Sequence, residues 1–212
     1  MTPLILAVDT TGEHGSIALA RGTAVLGETA LYSPAGYSTI LYGEIEGLLT
    51  RCGVRVAEVE CFAAASGPGS FTGVRVGLAC VKGLAEALGR KAVAVSNLEA
   101  LARCGSGARR GAVIDARRGE VYGAVYDAEG GVVSPEVVAP LAAWIESLPE
   151  GVAEIVSALP VPGKSVIAPP EALAGVIAAI AAERFARGEA CDAAGLDANY
   201  VRRSDAELFW RE

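Results

Sequence analysis

The residues best placed to do chemistry are a glycine-rich run and two aspartates. Ser66-Gly67-Pro68-Gly69-Ser70-Phe71-Thr72-Gly73-Val74-Arg75-Val76-Gly77 leads from an apolar segment into one with helical spacing. Helix N-termini expose unpaired N–H groups and attract anions, so a phosphate is one ligand for such a loop, around Gly67, Gly69 and Ser70. It is not a Walker A loop, because no Gly-Lys-Ser/Thr follows. A tight strand-to-helix turn with close packing accounts for the same glycines, and on local chemistry it is the favoured reading. Asp9 and Asp115 each end an apolar run. They are a candidate pair for a magnesium ion, but each also suits an acceptor of N–H bonds in its own turn, and that reading is preferred. No cluster of Asp and Glu supports an all-carboxylate metal site. The one histidine, His14, sits in a turn, which excludes H-E-x-x-H zinc chemistry and any histidine-rich site. A Ser-His-Asp triad would need His14 as base, and nothing around Ser16, Ser66 or Ser70 forms a nucleophile elbow. The five cysteines, Cys52, Cys61, Cys80, Cys104 and Cys191, form no C-x-x-C pair and read as small core thiols. No catalytic residue and no metal ligand is expected.

These residues need elements to hold them. Residues 4–8 are a short continuous apolar run, which predicts a buried central strand. Residues 16–20 and 24–31 follow with turn signals between, predicting an antiparallel meander. A helix is expected over 37–52, where Leu41, Ile45, Leu48, Leu49 and Cys52 keep helical spacing. Then come a buried strand at 61–65, a helix over 72–88, a strand at 92–95 and a third helix opened by a Ser96/Glu99 capping box. The second half starts in the same way. Ala7-Val8-Asp9 is echoed 106 positions later by Val113-Ile114-Asp115, and a second strand follows each, at 16–20 and 121–126. Alternating strands and helices indicate an α/β fold. Two lobes that each open with a hairpin indicate a duplicated actin/Hsp70-like (ASKHA, RNase H-like) two-lobe fold. The second lobe reads as reduced. After Val133 the chain is rich in proline and alanine, 141–148 is a weak helix, and only 170–187 is a strong one, with proline near its first turn. The expected division is 1–104 and 105–212, without an obvious linker.

Composition bounds the function classes. Of 212 residues, 52% are hydrophobic, which excludes disorder. The mean hydropathy of +0.39 raises the question of a membrane. The longest clearly apolar run, 172–182, is closed by Glu171 and Glu183 and falls short of the roughly 18 residues a span needs. The first eight residues lack a basic residue, so no signal peptide is expected, and a cytoplasmic protein is. The formal net charge of −7 opposes binding to a polyanion. Arg109-Arg110, Arg117-Arg118 and Arg202-Arg203 are short local pairs that read as solvated surface rather than a groove.

Four stretches resemble one family. Gly67–Gly73 with Val74-Arg75-Val76-Gly77 is similar to the GPGSFTGLRIG signature of the TsaB (YeaZ) family. Leu6-Ala7-Val8-Asp9-Thr10-Thr11 resembles its opening strand, and Ile114-Asp115-Ala116-Arg117-Arg118-Gly119-Glu120-Val121-Tyr122 resembles its second-lobe segment. Ala198-Asn199-Tyr200-Val201-Arg202 is similar to its C-terminal P-x-Y-L/V-R, with Ala198 in place of proline. The resemblance implies an inactive relative of the actin/Hsp70-like fold. Its partners would be the catalytic subunit TsaD and the small ATPase TsaE, in making N6-threonylcarbamoyladenosine at position 37 of tRNA. The catalytic relative carries a His-x-x-x-His metal pair on its first helix, where this chain has Tyr37-Ser38-Thr39-Ile40-Leu41. Nucleotide hydrolysis in the fold class also needs a D-x-G turn after the first strand, and here Thr11 replaces the glycine in Asp9-Thr10-Thr11. The Gly-Gly pair that the class places beside adenosine is missing from 155–163. Asp9, Thr10, Thr11, Gly67, Gly69, Ser70 and Asp115 therefore read as a vestigial nucleotide or phosphate loop. No cofactor of its own is expected, with nucleotide at most at an interface with partner subunits.

Gly43-x-x-x-Gly47 lies on the first helix, and Gly73-x-x-x-Gly77 opens the second, with Gly83 beyond. Glycine inside a helix costs about 0.8–1.0 kcal/mol relative to alanine, so these glycines need a reason. Packing against the chain's own sheet is one, and a surface for a partner helix pair is the other. The resemblance favours the second and implies docking to TsaD through Ile40, Gly43, Gly47, Gly73, Val76, Gly77 and Cys80, although Cys80 taken alone reads most simply as core. On that reading Gly77→Leu leaves the fold intact and breaks docking. Free in solution, the chain is expected to form a homodimer through the same helices, and to meet tRNA only through the complex. The rival function is an ATP-dependent kinase or ATPase of the same fold, using Asp9, Asp115 and the Gly67–Gly73 loop.

Overall fold

A computed structural model describes residues 2–202. The chain forms two compact units, the first made of Met1–Ala100 and Pro170–Ala198, the second of Leu101–Pro169 and the segment from Asn199. The expected boundary at 104 is close to the first division. The assignment of 170–198 to the second lobe is corrected, because its helix completes the first unit.

Unit one opens with β1 (Leu4–Asp9), β2 (His14–Arg21) and β3 (Ala24–Tyr32) as an antiparallel meander. α1 (Leu41–Arg51) follows a short 3-10 turn at Tyr37–Thr39, then β4 (Cys61–Ala65), α2 (Phe71–Leu88), β5 (Lys91–Val95) and α3 (Asn97–Arg103), within which the units divide. The sheet runs β3-β2-β1-β4-β5, with β4 parallel to both β1 and β5. Strand alternation sorts its two faces. Leu4, Leu6 and Val8 of β1 meet Ile45 and Leu48 of α1 and Val74 and Val81 of α2. Ile5 and Ala7 face the other way.

Unit two repeats the plan. β6 (Arg109–Arg117), β7 (Glu120–Asp127) and β8 (Val132–Pro140) form the second meander, followed by α4 (Leu141–Glu146), β9 (Glu154–Val156) and β10 (Ser165–Ile167). The order β10-β9-β6-β7-β8 is the order of unit one, strand for strand, so the weak sequence echo marks a true duplication. The sheet is kept and the helices shrink. α4 has six residues, and a loop alone joins β9 to β10. Trp144 of α4 is buried over Gly123, where a β-carbon would collide with the indole.

The last helix, α5 (Ala174–Ala186), lies on the second face of the unit-one sheet. Its Ile177, Ala178 and Ala181 pack against Ile5, Ala7, Ala18 and Ala63, small residues that let a helix sit close. It begins four residues after Pro170, so proline precedes the first turn rather than occupying it. Its N-terminus is held from across the chain. Ser16 Oγ accepts the N–H groups of Leu173 (3.1 Å) and Ala174 (3.0 Å), and Glu28 accepts that of Gly175 at 2.6 Å. Ser16 thus acts as a remote N-cap. Ser16→Ala is expected to lower stability by about 1 kcal/mol in urea titration, since it leaves a buried and a part-buried donor without their acceptor.

Candidate functional site

The glycine-rich loop and the turn after β1 fold onto each other. Asp9 is 5% exposed, and its Oδ1 accepts from the Thr11 N–H (2.9 Å) and the Thr11 hydroxyl (2.6 Å). The Thr11 hydroxyl accepts in turn from Asn97 Nδ2 at 2.7 Å. Asn97 opens α3 and holds the loop at its base, where its Oδ1 accepts Gly67 N–H and its own N–H donates to the Gly67 carbonyl. At the top, Ser70 N–H donates to the Thr11 carbonyl (2.7 Å), and Ser70 Oγ caps Gly73 N–H. The Thr10 hydroxyl donates to the Gly73 carbonyl at 2.7 Å. Asn97 escaped the sequence reading because a lone asparagine at a helix start looks like an ordinary cap.

This closure explains the glycines. A β-carbon on Gly69 would lie 2.7 Å from the Thr11 carbonyl oxygen, and one on Gly77 2.7 Å from Thr10 Oγ1. On Gly73 it would collide with the Thr10 carbonyl. Gly73, Gly77 and Cys80 are all buried on the inner side of α2, so their assignment to a docking face is corrected. The two glycines are small because the β1 turn lies against them, whereas Cys80 is a buried core thiol.

Of the vestigial-loop residues, the structure brings together Asp9, Thr10, Thr11, Gly67, Gly69 and Ser70. Asp115 stands in unit two and repeats the local chemistry of Asp9. Its Oδ1 accepts the N–H of Arg117, two residues on, at 2.8 Å, and an ion pair to the Arg117 guanidinium spans 3.4 Å. Each aspartate thus accepts an N–H bond within its own turn, as favoured. The other arginines of the short pairs are also engaged. Arg110 donates to the Gly107 carbonyl, Arg109 to that of Glu150, and Arg202 pairs with Glu120. Arg203 lies outside the described residues.

Burial raises the Asp9 carboxyl above its ordinary 3.8, against the lowering effect of the Thr11 and Asn97 hydrogen bonds. The folded state therefore holds this proton more tightly than the unfolded chain does. The associated stability is full below the unfolded value and is lost as pH rises through the folded one. Asp9→Asn keeps an acceptor for Thr11 and removes the charge. The variant is expected to gain stability relative to the parent as pH rises above the unfolded value of 3.8, read as a flatter pH profile of the melting temperature. A parent profile that rises with pH and is steeper than the variant's would contradict this. The buried thiols are inert by the same physics. Burial lifts Cys61 to about 12 and Cys80 to about 11.

The outer side of α1 and α2 has another character. Tyr42 is 58% exposed and Phe71 50%. Nothing lies within 4 Å of a β-carbon on Gly43, and on Gly83 it would meet only the Tyr42 hydroxyl at 3.8 Å. The Arg75 guanidinium stacks 3.4 Å over the Phe71 ring. Ile40, Gly47 and Val76 are half-buried at the margin of this face.

The family model described as TsaD, tRNA N6-adenosine threonylcarbamoyltransferase, matches residues 35–182. The Bacillus subtilis tRNA threonylcarbamoyladenosine biosynthesis protein TsaB is 36% identical over 69% of this chain and 66% of its own length. The Escherichia coli protein of that name is 35% identical over 63% of this chain and 64% of its own. YeaZ from Pseudomonas aeruginosa superposes with a TM-score of 0.80 at 28% identity, covering 93% of this chain and 99% of that one. The chain belongs to the TsaB (YeaZ) family. Its matches span just under two thirds of the two TsaB relatives, while the YeaZ structure is covered almost completely. The ethanolamine utilization protein EutJ from Carboxydothermus hydrogenoformans shares the fold alone, with a TM-score of 0.54 at 12% identity. With the duplicated five-stranded sheets, these likenesses place the TsaB-family chain in the two-lobe actin/Hsp70-like class. Among the described residues no helix is long and apolar enough to cross a membrane.

Proposed function

We propose that this chain is a non-catalytic subunit of the machinery that forms N6-threonylcarbamoyladenosine in tRNA, working in the cytoplasm. In this reading it docks the transferase TsaD through the outer face of α1 and α2, and TsaE completes the complex. The observation that carries the reading is that face. Gly43 sits within α1 under open space, next in the chain to half-exposed Tyr42, as a surface shaped for a close helix–helix approach requires. The names of the relatives support the pathway. The absence of catalysis is supported by the spending of the Asp9 carboxylate and the Ser70 amide within the chain's own turn. Nucleotide, where it takes part, is held with the partners. Contact with tRNA through the complex fits the net charge of −7.

Reconstitution with TsaD, TsaE, ATP, a threonylcarbamoyl donor and tRNA tests this. Modification is expected to stop when the chain is omitted and to return with stoichiometric addition. Full modification without the chain, or tight ATP binding with turnover by the chain alone after stringent purification, would sink it. The second outcome would install the kinase or ATPase reading.

A further inference from the structure

The hairpin between β6 and β7 turns on a backbone that its side chains do not favour. Asp115 pairs with Val121 and Arg117 with Glu120, so Ala116 is the extra residue of a bulge and Arg118-Gly119 forms the tip. Arg117, Arg118 and Gly119 all have positive φ, at 64°, 59° and 78°. Glycine enters this left-handed region freely, and asparagine and aspartate with little penalty, whereas other L-residues crowd the backbone there. Gly119 follows that rule. Arg117 and Arg118 break it, and among the described residues they are the only non-glycine positions with positive φ. Local stability does not ask for arginine at either place. The Arg117 side chain is 87% exposed, and its ion pair to Asp115 spans 3.4 Å, an exposed contact of the kind that adds little. Arg118 is exposed at the tip, and Ala116 is buried, so residues 115–119 present no apolar side chain to solvent. On the strand beside the tip, Arg202 pairs with Glu120 and so offsets the nearest glutamate.

We propose that the Arg117-Arg118 tip is a contact between this chain and the phosphate backbone of tRNA. The proposal rests on the reading in which the chain works inside the tRNA-modifying complex. Strain held at an exposed turn is kept for what the side chains do, and what these two offer is paired N–H donors and permanent positive charge. Guanidinium groups match phosphate oxygens in geometry as well as charge. A mononucleotide would need walls around its base, which a hairpin tip does not supply. A protein partner would need an apolar or aromatic anchor, and residues 115–119 offer none. A polyanion running past needs only charge and reach. The net charge of −7 keeps the contact local, so the tip acts on tRNA that the complex already holds rather than capturing it alone.

Anisotropy of labelled tRNA, titrated with the complex of this chain and TsaD over a series of salt concentrations, tests the proposal. The double variant Arg117→Gly, Arg118→Gly removes both charges and places glycine where the backbone favours it. The isolated variant should hold or raise its melting temperature and bind TsaD as the parent does. Its complex should bind tRNA roughly tenfold more weakly, with a salt slope smaller by about 1 to 2. Arg117→Lys with Arg118→Lys keeps the charge and should recover most of that slope. Unchanged tRNA affinity and slope in the glycine variant would overturn the contact, as would a lysine variant no better than the glycine one. Weaker binding of TsaD or TsaE at unchanged tRNA affinity would make the tip a protein contact instead, and a lowered melting temperature would show that the fold itself needs the arginines. A parent chain that never joins TsaD would sink the reading beneath the proposal, and is seen separately before any tRNA is added.

Discussion

Gly77→Leu is expected to destabilise the isolated chain by about 3 kcal/mol, the upper range for overfilling a packed interior. Even the first added carbon would stand 2.7 Å from Thr10 Oγ1 and 3.7 Å from Val8 Cγ1, and the rest of the side chain has the β1 turn in front of it. Leucine is the better helix former by about 0.8 kcal/mol or less, so strain wins over propensity. Two controls separate strain from lost docking. Gly77→Ala with Thr10→Ala should be less destabilised than the sum of the single variants, because the second change removes the oxygen that the first one meets. Gly73→Ala has no such rescue, since its obstacle is backbone. Urea titration of the isolated chain measures all of these. A Gly77→Leu chain as stable as the parent would return Gly77 to the outer face.

Gly43→Leu should do the opposite. It adds a side chain to open space on α1 and improves helix propensity, so the isolated chain should keep or slightly raise its melting temperature. At a helix pair the same side chain stands where two backbones meet. Central interface positions carry about 2 kcal/mol or more, which corresponds to a loss of roughly thirtyfold or more in affinity for TsaD. Threonylcarbamoylation in the reconstituted system should fall with it and recover at high subunit concentration. A folded Gly43→Leu that binds TsaD as well as the parent would place the interface elsewhere.

The contrast between these glycines shows what was legible in the sequence. The glycine-rich loop, the duplicated hairpin and the first four strands stand out as apolar runs broken by turn residues. That each helix carries spaced glycines is equally plain. Which side they face needs helical phase. Gly73, Gly77 and fully buried Val81 fall in one row four residues apart, and that row points inward. Gly43 and Gly47 stand apart from Leu41, Ile45, Leu48 and Leu49, the buried row of α1. β8 was hidden by its prolines and β10 by its brevity. The destination of α5 was not legible at all. An alanine-rich helix with apolar residues on most sides matches any sheet surfaced with small residues, and only the long-range caps from Ser16 and Glu28 settle which one.

That destination governs the order in which the protein takes shape on the ribosome. The sheet of unit one is complete once β5 has been made, yet its second face stays bare until residue 186 emerges, and the cap on Ala174 joins residues 158 apart in sequence. All five strands of unit two are synthesised in that interval. The sheet of the half encoded second is therefore complete before the sheet of the first is covered, and for part of synthesis the nascent chain carries an apolar sheet face without its helix. Nascent chains arrested before residue 170 should be protease-resistant in unit two and sensitive in unit one, and a holdase that covers alanine-rich sheet surface should bind them until α5 arrives.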